Sequence, residues 1–171
     1  MSSNAATATV DIAEVESAES THEQGMGIIK RNVAWSAGAG LVPVPLFDLA
    51  AVTGVQLKMI NELCRLYGQD FSDSLARPIV MSLIGSLGAG VLAPVLAVTA
   101  FKIVPGIGTL MAGTSMAITS GAVTYAVGRL FQDHFEKGGN LSDFNVVSKK
   151  KAFKEKVEEG KEVAKEAKAA G

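Results

Sequence analysis

The residues of this sequence that could do chemistry are few and scattered. His22 lies in an acidic stretch, and His134 lies beside Asp133 and Glu136. A metal ion needs three or four converging ligands, which neither histidine has in its local sequence. The one cysteine, Cys64, lies on an apolar helical stripe without a neighbouring base, so we predict a buried structural thiol. A single cysteine also excludes an intrachain disulfide.

Two glycine-rich segments, GSLGAG and GIGTLMAG, resemble phosphate-binding loops in composition. Neither completes GxxxxGK[ST] and neither follows a predicted strand, so no nucleotide site is predicted. Asp48 is the most unusual residue chemically, because apolar sequence flanks it on both sides. We favour a cap at the start of the second helix over a proton or ion relay. No catalytic, cofactor-binding or metal-binding residue is predicted, and we expect a protein that is not an enzyme.

Charge is distributed unevenly along the 171 residues, of which 48% are apolar and 19% are charged. Residues 78–101 and 103–128 carry no charge, and only Lys102 separates them. At about 1.5 Å per residue, a helix of either length exceeds the roughly 30 Å hydrocarbon thickness of a bilayer. These runs predict an all-α fold of membrane-embedded helical hairpins, with about four helices in two hairpins.

Turn signals place the helices of both hairpins. Pro43 and Pro45 cannot both lie within one helix, so they mark the first turn, and the second helix follows over about 46–68. The third helix is predicted over about 75–103, after a cap at residue 72 or 73. Pro105 and Gly106 form the second turn, and the fourth helix covers about 109–135. If Pro94 is the true break instead, the shorter arms re-enter the membrane rather than span it.

The two ends of the chain differ from this body. Residues 1–25 are predicted to be a disordered acidic tail, residues 26–137 the hairpin domain, and residues 138–171 a charged and partly helical tail. The last segment has a thin apolar stripe at Phe153, Val157, Ala164 and Ala167. It is interpreted either as a solvated tail or as an electrostatic contact with anionic lipid. The lipid-surface candidates are Lys149, Lys150 and Lys151.

Basic residues give the predicted orientation. Seven of them lie at the open ends of the two hairpins, whereas the closed ends hold only Asp48 and Lys102. By the positive-inside rule, the open ends and both tails face the cytoplasm. Three aromatic residues near the same positions are predicted to form an interfacial belt, with packing inside a core as the alternative. The predicted interface anchors are Trp35, Tyr67, Tyr125, Lys30, Arg31 and Arg129.

Small residues recur every four positions along the third and fourth predicted helices. In lipid, such stripes let helix backbones approach closely. The two stripes could pack against each other, and additional small faces favour self-association into oligomers. The packing residues predicted in this way are Gly85, Ala89, Ala93 and Ala97 in the third helix and Gly113, Ala117 and Gly121 in the fourth.

The runs AWSAGAGLVPVPLFDLAAVTGVQLKMINELCRLYG and VPGIGTLMAGTSMAITSGAVTYAVGRLF, with an apolar Gly/Ala-rich segment between them, carry a family resemblance. Over about residues 27–136 the chain resembles the YcjF-like bacterial membrane proteins of unknown function. In that family the module occurs alone or beside Era-like GTPase domains. Because this chain has no GTP-binding motif, the resemblance implies a separate GTPase partner and a bacterial inner-membrane location. It transfers no catalytic residue.

The leading functional hypothesis is a non-catalytic, membrane-inserted scaffold or adaptor that self-associates and organises or remodels membrane together with a GTPase. The expected partners are membrane lipid, further copies of the chain and that GTPase. No cofactor and no nucleic acid is expected. The alternative is a component of a small ion or solute channel or transporter, which the glycine-broken helices and Asp48 motivate.

Overall fold

The computed structural model describes residues 3–39, 47–88 and 108–169, and every structural statement below concerns that part of the chain. It contains five α-helices and no strand, which confirms the all-α class. The helices are α1 (Ser3–Ala39), α2 (Phe47–Leu66), α3 (Asp73–Gly85), α4 (Gly108–Phe135) and α5 (Val146–Ala169). The predicted second and fourth helices are therefore present, with ends that lie within two residues of those predicted.

The helix at the centre of the fold is α4. The other four helices all contact it, and they form a ring in the order α1, α2, α3, α5 in which each also contacts its neighbours. Between residues 117 and 135 nearly every side chain of α4 is buried or half-buried. A helix that is apolar on all sides must be surrounded by lipid or by protein. Over this length, protein surrounds α4, which accounts for much of its uncharged sequence.

Contacts between helices define two ends of the bundle. His22 of α1 meets Glu136 just after α4, whereas Ser36 of α1 meets Thr124, so α1 and α4 are antiparallel. Tyr67, just after α2, also meets Glu136, so α2 runs parallel to α4. We call the end with residues 67–72 and 136–145 the loop end. At the opposite end α1 finishes, and α2 and α4 begin.

The third helix is shorter than predicted. It ends at Gly85 instead of continuing to residue 103, and Gly88 follows with φ +70°, a left-handed conformation that glycine adopts without a steric penalty. Its 13 residues span only about 20 Å. No helix in the described ranges is both long and apolar enough to cross a bilayer. The predicted turn residues Pro43, Pro45, Pro105 and Gly106 lie outside the described residues.

The disorder predicted for residues 1–25 is not what the structure shows. A single helix runs from Ser3 to Ala39, so the predicted boundary after residue 25 falls inside α1. Residues 14–20 are exposed, so packing within the chain does not account for their helical state. Extending an existing helix adds one hydrogen bond per residue without a new nucleation step, and alanine and glutamate favour it.

The charged C-terminal segment is a packed helix, so the interpretation as a solvated tail is wrong. Its predicted apolar stripe faces the core, where Phe153, Val157 and Ala164 are fully buried and Ala167 packs at the edge. Gly160 lies between two of these residues. A Cβ atom there would be 2.7 Å from the carbonyl oxygen and 3.0 Å from the Cα of Ala122. The absence of a side chain at Gly160 therefore sets how closely α5 approaches α4.

Gly160→Ala should lower the free energy of unfolding by about 1–2 kcal/mol, because the added methyl group meets helix backbone that cannot rotate away. Gly54→Ala is the matched control, since a Cβ there meets nothing within 4 Å in the middle of α2. It should raise stability by about 0.5–1 kcal/mol through helix propensity alone. Urea denaturation followed by circular dichroism measures both. Equal stabilisation by the two substitutions would contradict the close approach.

Candidate functional site

A polar cluster joins three parts of the chain at the loop end. His22 Nδ1 lies 2.8 Å from Glu136 Oε1, and the Tyr67 hydroxyl donates to the same oxygen at 2.8 Å. The Gln132 amide nitrogen donates to the backbone carbonyl of His22 at 2.8 Å and to the Tyr67 hydroxyl at 3.2 Å. Gly25 allows this arrangement, because a Cβ there would lie 2.6 Å from the Gln132 nitrogen. The cluster attaches α1 to the ends of α2 and α4.

A second polar group lies between α4 and α5. Asp133 accepts from Arg129 at 3.2 Å and from Lys156 at 3.1 Å, and the Tyr125 hydroxyl donates to Glu159 at 2.8 Å. Arg129 and Lys156 are mostly buried, so solvent screens these ion pairs less than it would at an exposed surface. The charged face of α5 is thus attached to α4 by specific pairs in addition to its apolar stripe.

Further polar side chains are buried between α1, α2 and α4. The Thr124 hydroxyl donates to Ser36 Oγ at 2.9 Å, and Asn32 donates to the Ile28 carbonyl and to Glu62. Gln56 is fully buried, yet neither atom of its amide has a hydrogen-bond partner in the described structure. A buried amide without partners costs free energy. Gln56 is therefore the clearest local conflict between side-chain chemistry and packing in this protein.

The two residues with conventional catalytic chemistry have structural environments. His134 Nε2 lies 2.7 Å from Asp143 Oδ1. The hydrogen bond from the Asn140 backbone N–H, followed by this contact with His134, lowers the pKa of Asp143. Cys64 is fully buried, as predicted, and burial raises the pKa of its thiol to about 11. At neutral pH the nucleophilic thiolate is therefore scarce. Within the described ranges no three His, Cys, Asp or Glu side chains converge on a metal position.

The aromatic residues predicted to form one belt lie in three different environments. Trp35 is 65% exposed on the outside of α1. Tyr125 is buried against α5, and Tyr67 belongs to the loop-end cluster, about 20 Å from the level of Trp35 along α1. Of these three aromatic residues, only Trp35 is largely exposed. The belt prediction used only the positions of the three residues along the chain. Whether each ring is exposed depends also on which side of its helix it occupies and on where α5 packs.

The basic anchors are divided in the same way. Lys30 and Arg31 are exposed, and Arg31 donates to Glu62 at 2.9 Å. Arg129, predicted to face the interface, is mostly buried in its pair with Asp133. Asp48 is the second residue of α2, so it lies inside the helix and not at the cap position. In the first turn of a helix, the positive end of the helix dipole favours a carboxylate. Its side chain lies outside the described part.

Two of the small residues predicted on α4, Ala117 and Gly121, are buried inside the bundle. A Cβ atom at Gly121 would lie 2.8 Å from Ala164 Cβ of α5 and 3.4 Å from a Val33 methyl group of α1. Ala117 is buried, and Gly113 is a residue of α4. Gly85 ends α3 with open space around it, so it does not pack against the stripe of α4. Ala89, Ala93 and Ala97 lie outside the described residues.

Lys149, Lys150 and Lys151 stand near the start of α5. Lys149 lies over the ring of Phe144, 5.1 Å from its centroid, while Lys150 and Lys151 are exposed. Burial and the nearby Lys137 lower the pKa of Lys149. These lysines therefore form part of a basic surface on the half of α5 that is nearer to the loop end.

Comparison with known proteins identifies the family of this chain. The profile of a domain of unknown function, DUF697, matches residues 5–162. The chain belongs to the DUF697 family. The match includes α1 and most of α5, the two segments that the sequence predicted to be tails. It shows this family and not the narrower YcjF-like group.

One curated relative of this DUF697 protein is magnetosome membrane protein 22 of Magnetospirillum gryphiswaldense. It is 40% identical over 145 residues, which cover 83% of this chain and 73% of that protein. No solved structure matches the chain. The relative's name concerns a membrane, and neither it nor the family description refers to catalysis.

The titration of the two tyrosines tests the polar clusters. Burial, followed by the hydrogen bond to Glu136 or Glu159, raises the pKa of Tyr67 and of Tyr125 to about 12. Because the folded pKa exceeds the unfolded value of about 10, this stabilisation is complete below pH 10 and is lost as the pH rises to about 12. Tyrosinate absorbance should be small at about pH 10.5 in the native protein and large in urea. Glu159→Gln should shift one of the two titrations downwards, and half-ionisation of both tyrosines at about pH 10 in the native protein would contradict the burial.

Two buried glutamines make a matched pair for a stability test. Gln132→Met removes an amide with several partners and should destabilise the protein by about 1–3 kcal/mol. Gln56→Met replaces an amide without partners by an apolar side chain of similar size and should stabilise it by about 1–2 kcal/mol. The measurement is the urea midpoint at an unchanged slope. Destabilisation of the same size by both would show that Gln56 is paired.

Proposed function

We propose that this protein is a non-catalytic, membrane-associated scaffold that meets the bilayer with the end of the bundle opposite the loop end. The observation that carries the proposal is the concentration of uncharged sequence there. The ends of α1, α2 and α4 at that side border residues 40–46 and 89–107, which together contain one charge, Lys102. The name of the 40% identical magnetosome membrane protein supports a membrane location.

The exposed Trp35 supports the same orientation. It lies on the last turns of α1, near the uncharged stretch, and tryptophan is enriched where protein meets the membrane–water interface. The polar clusters and the charged connections lie towards the other end. In this orientation the loop end faces the cytoplasm of a bacterial inner membrane, as the basic residues of the sequence predict.

The depth of contact follows from α5. Lys161, Glu162 and Lys165 lie near the level at which Ala164 packs against Gly121, and their charges must stay in water or among lipid headgroups. Only residues 108–120 of α4, about 20 Å of helix, remain beyond that level. This is roughly two-thirds of the hydrocarbon thickness, so we favour partial insertion from one leaflet over a complete crossing. Asymmetric insertion of this kind is a physical route to membrane remodelling.

Self-association and a GTPase belong to the proposal as separate interactions. A GTPase partner rests on the resemblance to YcjF-like proteins and is placed in another chain, because this one contains no P-loop motif. The scaffold role needs no reaction at the polar clusters, whose groups are held by structural partners. The protein would act by positioning other molecules at the membrane.

The sole tryptophan gives a direct test of the orientation. On mixing the protein with vesicles of bacterial phospholipids, Trp35 emission should shift to shorter wavelength and be quenched by brominated acyl chains. The matched control is the double variant Trp35→Phe/Val15→Trp, which moves the probe to an equally exposed site (66% against 65%) beyond the loop end. Its emission should not change. Flotation without any change at Trp35 would contradict the proposed orientation, and no flotation with the vesicles would contradict membrane association.

A further inference from the structure

The first part of α1 extends outside the bundle. The His22–Glu136 pair attaches α1 to the bundle at the loop end, and residues 14–20 before it are all exposed. We call residues 3–21 the arm. These 19 residues of α1 make about 28 Å of helix before His22.

The arm carries acidic side chains and an exposed valine without compensating positive charge along the helix. Glu16 and Glu19, followed by Glu23 at its base, are spaced at i, i+3 and i+7 and share one side of α1, and the sequence contains no lysine or arginine before Lys30. Neighbouring like charges on a helix destabilise it unless positive charge is brought near. Val15, 66% exposed, lies exactly five helical turns before the buried Val33, so it extends the core-facing stripe beyond the bundle.

The start of α5 offers a complementary surface. Residues 146–156 contain five lysines and one glutamate. Val147, Lys150, Lys151 and Lys154 are spaced at i, i+3, i+4 and i+7 and form one exposed side, which we call the lysine face. Val147 is 74% exposed and Lys151 is 91% exposed. The first turn of α5 carries no acidic residue, so the helix dipole adds to the positive potential.

The arm and the lysine face are similar in arrangement and opposite in charge. Among the side chains that the structure describes, from residue 14 onwards, no ion pair joins the arm to the lysine face. The arm leaves the bundle at the loop end, whereas the lysine face lies along the side of the bundle. Each surface combines an exposed valine with a row of like charge, and the two charges are opposite. An apolar centre with a charged rim is the usual composition of a specific interface.

We propose that the arm of one copy of this protein docks on the lysine face of a second copy, and that the second copy's arm returns the contact. Because each arm projects beyond its own loop end and each lysine face lies beside it, the exchange places the two loop ends face to face. It forms a closed dimer in which both acidic arms are neutralised and the two membrane ends point in opposite directions. This inference deepens the self-association included in the proposed function by naming its surfaces. The surfaces proposed for this dimer differ from the small-residue stripe of α4, because Ala164 of the same chain already packs against Gly121.

A second copy fits the lysine face better than an anionic bilayer. The lysine face lies on the half of α5 near the loop end, away from the end at which we place the membrane. The arm projects beyond the loop end, and its glutamates repel an anionic surface. The observations therefore favour protein over lipid as the occupant of Lys150, Lys151 and Lys154.

Charge exchange tests the proposal with three full-length variants in a non-ionic detergent without vesicles, so the outcome is independent of membrane binding. The arm variant is Glu16→Lys/Glu19→Lys/Glu23→Lys, and the lysine-face variant is Lys150→Glu/Lys151→Glu/Lys154→Glu. The control, Glu158→Lys/Glu162→Lys/Glu166→Lys, makes the same change of charge as the arm variant, but on the half of α5 that lies away from the lysine face. All substituted side chains are exposed, and circular dichroism checks that the helices remain.

Analytical ultracentrifugation should find a dimer for the unchanged protein at low salt, with at least a tenfold weaker dimer Kd at high salt. The arm and lysine-face variants should each be monomeric, the control should dimerise, and an equimolar mixture of the first two should form a heterodimer. A monomeric unchanged protein, two variants that still dimerise, or a mixture that stays monomeric would overturn the proposal. If the unchanged protein is monomeric and only the lysine-face variant fails to bind phosphatidylglycerol vesicles, the lysine face is a lipid surface instead.

Discussion

The structure depends on covering α4 on every side at short range. Three close contacts make this possible: Gly128 of α4 against Ile29 of α1, Gly121 of α4 against Ala164 of α5, and Gly160 of α5 against the Ala122 backbone. In each one, a glycine accepts a neighbouring helix at a distance that any side chain would increase. Since the hydrophobic gain scales with apolar area removed from water, the surrounding helices must approach this closely to replace lipid or solvent around an uncharged helix.

Polar side chains give this apolar packing its register. The loop-end cluster joins α1 to α2 and α4 through Gln132 and Glu136, and Asp133 joins α4 to α5 through Lys156. An apolar stripe alone tolerates sliding, whereas a buried donor and acceptor must face each other or lose free energy. Gln56 stands apart, since its buried amide is unpaired in the described structure. The bundle is therefore specified well at the loop end and less strictly near Gln56.

The molecule is polarised along the bundle axis, and its proposed functions follow that axis. At one end three helices border nearly uncharged sequence beside an exposed tryptophan. At the other end are the polar clusters and an acidic helical arm, with a lysine face nearby on α5. A scaffold needs separate surfaces for a membrane and for protein partners, and this division provides them without a reactive centre.

Much of the local structure was predictable from sequence, because it depends on residues a few positions apart. The 3.6-residue pattern and the turn residues located α2 and α4, and the apolar stripe of Phe153, Val157 and Ala164 was visible in the sequence, although its burial was not predicted. The single cysteine was correctly predicted to be buried. The family match adds that this organisation extends across residues 5–162.

Only the tertiary structure decided what surrounds each helix. An uncharged helix has the same composition in lipid and in the centre of a ring of helices, so sequence alone assigned α4 to membrane where the fold surrounds residues 117–135 with protein. In the same way, Tyr125 and Arg129 resembled surface anchors until α5 covered them. The sequence by itself determined helices, stripes and charge distribution, which are properties of neighbours along the chain. Burial and pairing depend on contacts between residues far apart in the chain, such as His22 and Glu136, which are 114 positions apart and which only folding brings together.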